Sequence, residues 1–172
     1  MYESFRDVMD NYVPTRASLQ GRATIIGSPD QRALLSSLPA RIEAHLTNHA
    51  EAHLFKVKGS IGNGNMARIP WVGIFRTSVT QNAENGYYIV LLFAEDMSCC
   101  YLSLNQGITA VEKLYTKSFA WKKMREGAAE ASKRLTPHPE SLFGPIDLNS
   151  TGDLGKAYET AAIESFRYSY DD

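Results

Sequence analysis

Histidines are the first residues whose types and spacing could do chemistry. His45, His49 and His53 recur at i, i+4 and i+8. On an unbroken helix their imidazoles would share one face, as helical zinc ligands do. No acid flanks them in an H-E-x-x-H arrangement, the helical pattern stops near His49, and His138 is far away. Surface histidines are therefore expected, and a metal-binding enzyme built on His45, His49 and His53 is kept as an alternative. Cys99 and Cys100 are adjacent, a poor geometry for a disulfide; in a strand, one should point into the core and one away. Gly152-Asp153-Leu154-Gly155-Lys156 lacks the spacing and the hydroxyl of a phosphate-binding loop. With no Ser/His/Asp set and no carboxylate pair, the reading is a binding module with no cofactor and no metal.

The block 58–107 is the informative one. Gly59, Gly62 and Gly64 alternate with Asn63 and Asn65, predicting a loop that can adopt positive φ and approach a ligand. Ile69-Pro70-Trp71 follows at once, a stiff segment that fixes an aromatic where a strand starts. A polar loop beside a pinned Trp could edge a pocket for a flat ligand. The plainer alternative is a β-turn with Trp71 in the core, since buried aromatics are commonplace.

The chain has 172 residues, 44% hydrophobic and 22% charged, which suits one globular domain and excludes wholesale disorder. Its net charge of −1 conceals an asymmetry: residues 1–135 carry 16 Lys/Arg against 12 Asp/Glu, and residues 136–172 carry 2 against 7. Basic density peaks at residues 113–134, where seven cations meet only Glu126 and Glu130. Such a stretch is either a footprint for a polyanion or a solvated helix face. No apolar run approaches the length of a membrane span. The N-terminus has no continuous apolar core of the kind a secretory signal needs. With only two cysteines, a reducing, cytoplasmic setting is expected.

Periodicity supplies the elements that must position these residues. Phe5, Val8, Met9 and Tyr12 predict a helix over residues 2–13, ended by Pro14. Ser28-Pro29-Asp30 resembles a helix start for residues 31–38, which Leu38-Pro39 interrupts or restarts, with residues 41 to about 48 continuing the helix. Short strands are expected around 54–57 and over 71–77. Asn85-Gly86 is a turn before a nearly continuous apolar strand at 87–94, covered on both faces, with 99–104 as its antiparallel partner. A helical region is expected from 108 to 135, with Gly127 a weak point. A short helix over 154–164 and an edge strand over 166–170 complete an α+β fold: one domain, a curved, mostly antiparallel sheet flanked by helices.

Within this frame, G-x-G-N-x-x-x-I-P-W (62–71), N-G-x-Y (85–88) and Y-L-S-L-N-Q-G (101–107) stand in order, closed by Ile146-Asp147-Leu148 and Leu154-Gly155-Lys156-Ala157-Tyr158-Glu159. This series resembles the N-terminal DNA-binding domain of McrB-like, modification-dependent restriction proteins. The likeness covers about residues 54–170. It divides the chain into a helical lead-in, 1–50, and the DNA-binding domain, 51–172, folded as one unit.

The resemblance implies a sensor that binds duplex DNA and extrudes a modified cytosine, such as 5-methylcytosine, into a pocket, where its modification can be inspected. Carried over by position, the pocket residues are Asn63, with Asn65 beside it, Trp71, Leu92 and Leu154. Asn63 and Leu154 stand where the family has aromatics, which leaves the preferred modification open. Tyr158 either restores aromatic surface or belongs to the core, and Leu92 can equally be simple packing. Arg68, Arg76, Lys122, Lys123 and Arg125 are the expected phosphate contacts. The resemblance further implies a non-catalytic domain serving a nuclease or a GTP-hydrolysing motor, fused or separate, with no membrane involvement. A protein-interaction module without base readout remains the alternative of another class.

Overall fold

The computed structural model describes residues 2–170. Two helical stretches lead the chain: α1 (Tyr2–Ser18), then α2 (Pro29–Arg32), a π-helical turn (Ala33–Ser37) and α3 (Leu38–Leu46) in direct succession. Six strands follow, β1 (Phe55–Asn63), β2 (Asn65–Arg76), β3 (Tyr87–Phe93), β4 (Cys99–Gln106), β5 (Leu142–Phe143) and β6 (Ala162–Ser169). They form one antiparallel sheet in the order β1-β2-β3-β4-β6-β5. The helices α4 (Thr109–Glu112), α5 (Lys117–Ser132) and α6 (Asp153–Ala161) are inserted after β4. The expected class, an antiparallel sheet flanked by helices, is the one observed.

Strand alternation sends one set of side chains to each face, and both faces are covered except toward the start of β3, where Tyr87 and Ile89 stay exposed although the strand was expected to be covered on both faces. Val57, Ile61, Met66, Val72, Leu91, Phe93 and Cys100 pack against Val8, Tyr12, Leu34 and Leu38 of the lead-in helices. On the other side Ile69, Phe75, Tyr88, Val90, Leu92, Cys99 and Tyr101 pack against Ile146, Leu148 and Tyr158. A satellite cluster of Ile108, Met124, Ala157 and Ala161 joins α5 to α6. Each fully buried side chain of Leu, Ile or Phe size contributes about 1.5–3 kcal/mol. The expectation that one of the two cysteines would point away from the core is overturned: Cys99 and Cys100 face opposite sides, yet both are buried because neither face is bare.

Other boundaries differ for tertiary reasons. Pro14 does not end α1. A proline inside a helix costs about 3 kcal/mol, but Thr15, one residue on, is buried and bonded to Asp30 at 2.9 Å, which keeps the last turn on the body. The second stretch does restart at Leu38-Pro39, where a π-helical turn ends at Ser37 and α3 begins with Pro39 in its first turn. The predicted helix over 108–135 splits at residues 113–116 into α4 and α5, and α5 runs through Gly127 unbroken.

The largest correction concerns residues 59–65, expected as a loop. They continue β1, which turns at Gly64 into β2. Gly62 (φ +103°) and Gly64 (φ +70°) take the positive φ this tight hairpin needs. Pro70 lies inside β2 rather than before it, where the β1 pairing shifts between Ser60 and Gly62, the kind of site where a strand tolerates proline. Lastly, β6 begins at Ala162, ahead of the strand expected at 166–170; the two-residue β5 pairs along its outer side at Glu164 and Ser165, and no strand among the described residues pairs with 166–169 on that side.

Candidate nucleic-acid interface

On the face that carries Ile69 and Phe75, a cavity of about 870 Å³ opens beside the sheet's β1 edge. Ligand pockets fall in the range of roughly 300–1,000 Å³. Its floor is Ile69, Trp71 and Phe75 of β2, one flank is β1, and the other is Gly152, Leu154, Gly155 and Tyr158 at the start of α6. The segment 81–84 and Thr109 close one end, and Ala23 and Ile25 close the other.

Trp71 is half-buried, so one part of its indole anchors and another remains accessible. Its ring meets Phe75 edge-on at 6.4 Å and 81°, and Phe75 in turn packs on Tyr88 at 5.4 Å. Such tilted contacts add about 0.5–1.5 kcal/mol per pair beyond area, so the indole is held by a row of rings. Tyr158, 8% exposed, has its hydroxyl beside the Trp71 side chain. Burial pushes the Tyr158 phenol up to about 12, which leaves it neutral and able both to accept the indole N–H and to keep its own proton. Trp71 therefore has a ring partner on its strand and a polar partner on α6.

Of the residues singled out from sequence, Asn63, Arg68, Trp71, Leu154 and Tyr158 come together at this cavity. Leu154 is 55% exposed on the wall that α6 provides. Leu92 is opposite Trp71 in the β2–β3 register, so it shares that face, but it is fully buried and backs the indole from within the core. Asn65 pairs with Asn63 across the hairpin turn and bridges to Arg22 without lining the cavity.

The expected phosphate contacts divide. Arg68 stands on the rim, where it reaches Glu95 at 2.6 Å and Thr151. Glu95 also accepts from the Thr151 backbone N–H and hydroxyl, both at 2.8 Å. Burial works against the Glu95 carboxylate, but the Thr151 and Arg68 hydrogen bonds outweigh it and hold the carboxyl below its ordinary value. Arg68 thus ties β2 to the segment that leads into α6. Arg76 lies at the end of β2, 3.4 Å from Glu51. Lys122, Lys123 and Arg125 are exposed on α5 and do not line the cavity; the two lysines share Glu126, at 3.8 and 2.9 Å.

Sequence reasoning missed Lys56, Lys58 and Ser60. They face Phe75, Gly73 and Trp71 in the β1–β2 register, line the cavity, and the lysines make no ion pair among the described residues. The signal was present in Lys56-Val57-Lys58, an alternation of period two, but it is legible only if the strand is carried past Gly59. The three histidines do not converge: the rings of His45, in the last turn of α3, and His49, beyond its end, meet edge-on at 6.3 Å between centroids, and His53 is on a separate turn (Ala52–Leu54). Among the described residues there is no group of three His, Cys, Asp or Glu able to hold a metal ion, nor a helix long and apolar enough to cross a membrane.

A family model described as the MrcB-like, N-terminal domain matches residues 8–172. The chain belongs to that family. This is the McrB-like relationship that the motifs of residues 62–71, 101–107 and 154–159 suggest, and the match also takes in most of the lead-in helices. Membership in the MrcB-like family points to a DNA-binding domain of a restriction system rather than to a catalytic one. Comparison with curated proteins and with solved structures returned no match.

Proposed function

We propose that this MrcB-like domain is a sensor of modified cytosine in duplex DNA, that it extrudes the base into the cavity beside Trp71, and that it directs a nuclease or GTP-driven motor, fused or separate, to such sites. The observation that carries this reading is the held but accessible indole of Trp71 on the floor of a cavity fringed by Lys56, Lys58 and Arg68. A flat base stacks on that indole, Leu154 covers its other face, and Asn63 at the hairpin supplies polar contact to its Watson–Crick edge. Asn65 shapes the hairpin, Leu92 supports Trp71 from beneath, and Tyr158 sets the angle of the indole. The cations at the rim meet the phosphates on either side of the extruded nucleotide. Arg76, Lys122, Lys123 and Arg125 extend the contact along the duplex. The domain contributes recognition, and bond cleavage belongs to its partner.

The test is competition binding at two salt concentrations. Plain duplex is set against duplexes carrying 5-methyl-, 5-hydroxymethyl- and N4-methylcytosine and N6-methyladenine. The expected result is a preference for a modified cytosine that survives higher salt and is abolished in Trp71→Ala, because base–aromatic stacking is worth about 1–3 kcal/mol. Equal, salt-sensitive binding to every duplex would sink the reading.

A further inference from the structure

Residues 113–116, which separate α4 from α5, carry an apolar tip that the fold leaves in solvent. Leu114 is 76% exposed and Tyr115 51%, and Phe119, 41% exposed, meets Tyr115 ring to ring at 5.0 Å. A contiguous exposed apolar patch of this kind marks an interaction site. The tip is pinned at both ends to the rim of the cavity. Lys113 Nζ lies 3.3 Å from Glu84 Oε2, and Glu84 lines the cavity. Lys117 pairs with Asp153, whose neighbours Gly152 and Leu154 form the α6 wall. Cations surround the rings as well: Lys123 sits over Phe119 at 5.4 Å and Lys117 over Trp121 at 4.9 Å. An apolar point fringed by lysines suits a polyanion with an apolar interior, which is what an opened DNA duplex is.

We propose that Leu114 and Tyr115 form a wedge that enters the gap left in the duplex by the base taken into the cavity. This rests on the base-extruding reading above. Extrusion forfeits stacking and pairing at the target, and an apolar side chain inserted between base steps restores contact to the faces thus uncovered. Phe119 supports the Tyr115 ring from the first turn of α5.

The experiment compares the Leu114→Ala/Tyr115→Ala double variant with the unaltered chain on two modified duplexes. In one the modified cytosine is fully paired, and in the other it sits in a mismatch that has already lost its pairing. Both side chains are outside the core, so the variant is expected to melt as the unaltered chain does. It should lose at least about fivefold in affinity for the paired duplex, the low end of what a stacked aromatic contributes, and markedly less for the mismatched one. Unchanged affinity for the paired duplex, or an equal loss on both, overturns the wedge. Trp71→Ala serves as the second arm and should lose affinity for both duplexes. If the unaltered chain shows no preference for modified over plain duplex, base extrusion itself fails, and the wedge fails with it.

Discussion

Trp71 shows what a single residue needs in order to be a recognition surface rather than core. Its neighbours on the same face are Ser60 and Leu92 in register, Phe75 edge-on and the Tyr158 hydroxyl. The Tyr158 hydroxyl offers the indole N–H an acceptor, which Phe75 does not. Tyr158→Phe removes the hydroxyl that stands beside the indole N–H, and a hydrogen bond between the two is worth about 0.5–1.5 kcal/mol. The expected consequence is a several-fold fall in affinity for modified duplex with little change for plain duplex, read by titration of both in the same buffer. An equal fall for both would make Tyr158 a packing residue only.

At the scale of elements, the cavity exists because α6 is held close to β2. Gly155 makes that approach possible: a Cβ there would stand 1.9 Å from Ser150 Oγ and 3.1 Å from Ile69 Cγ1. Gly155→Ala should therefore cost about 1–3 kcal/mol as an overpacked contact, lowering Tm and, by displacing Leu154 and Tyr158, weakening the preference for modified duplex. A melting curve and the same titrations check both effects. Glu159 adds to the closure, its buried carboxylate accepting from the backbone N–H of Leu148 and Ser150 at 3.0 and 3.2 Å. Elements written in local pattern were legible: the apolar run that became β3, its partner β4, and the turn before it. Elements set by distant packing were not, among them the continuation of α1 through Pro14. The β1–β2 hairpin was hidden by its own glycines, which read equally as a loop. The cavity joins β1, β2 and α6, segments about a hundred residues apart, which no local pattern can bring together. On spacing alone Trp71 read as core rather than pocket edge, and the family motifs were what drew Asn63, Trp71 and Leu154 together.

For the whole molecule, a net charge of −1 means that DNA must be engaged by arrangement of charge rather than by its total. The densest basic stretch in the sequence is partly neutralised where it stands. The hydrogen bond from Lys123, first among several nearby cations, holds the Glu126 carboxyl below its ordinary value, and Lys133 pairs with Glu130. Exposed pairs of this kind contribute little to stability, but each cancels a charge that a phosphate would otherwise meet. Lys56 and Lys58 are not cancelled by an ion pair among the described residues, and they lie on the same face as Trp71. Each phosphate contact releases condensed counterions and adds about 0.9 to the slope of log affinity against log salt. Lys56→Ala and Lys58→Ala should each reduce that slope by about this amount on plain and modified duplexes alike, leaving their ratio unchanged, whereas Lys122→Ala should reduce it by less. Affinities measured over a series of salt concentrations decide the matter. A change in the ratio would move these lysines from the phosphates to the base, and an unchanged slope would place the duplex away from the β1 edge.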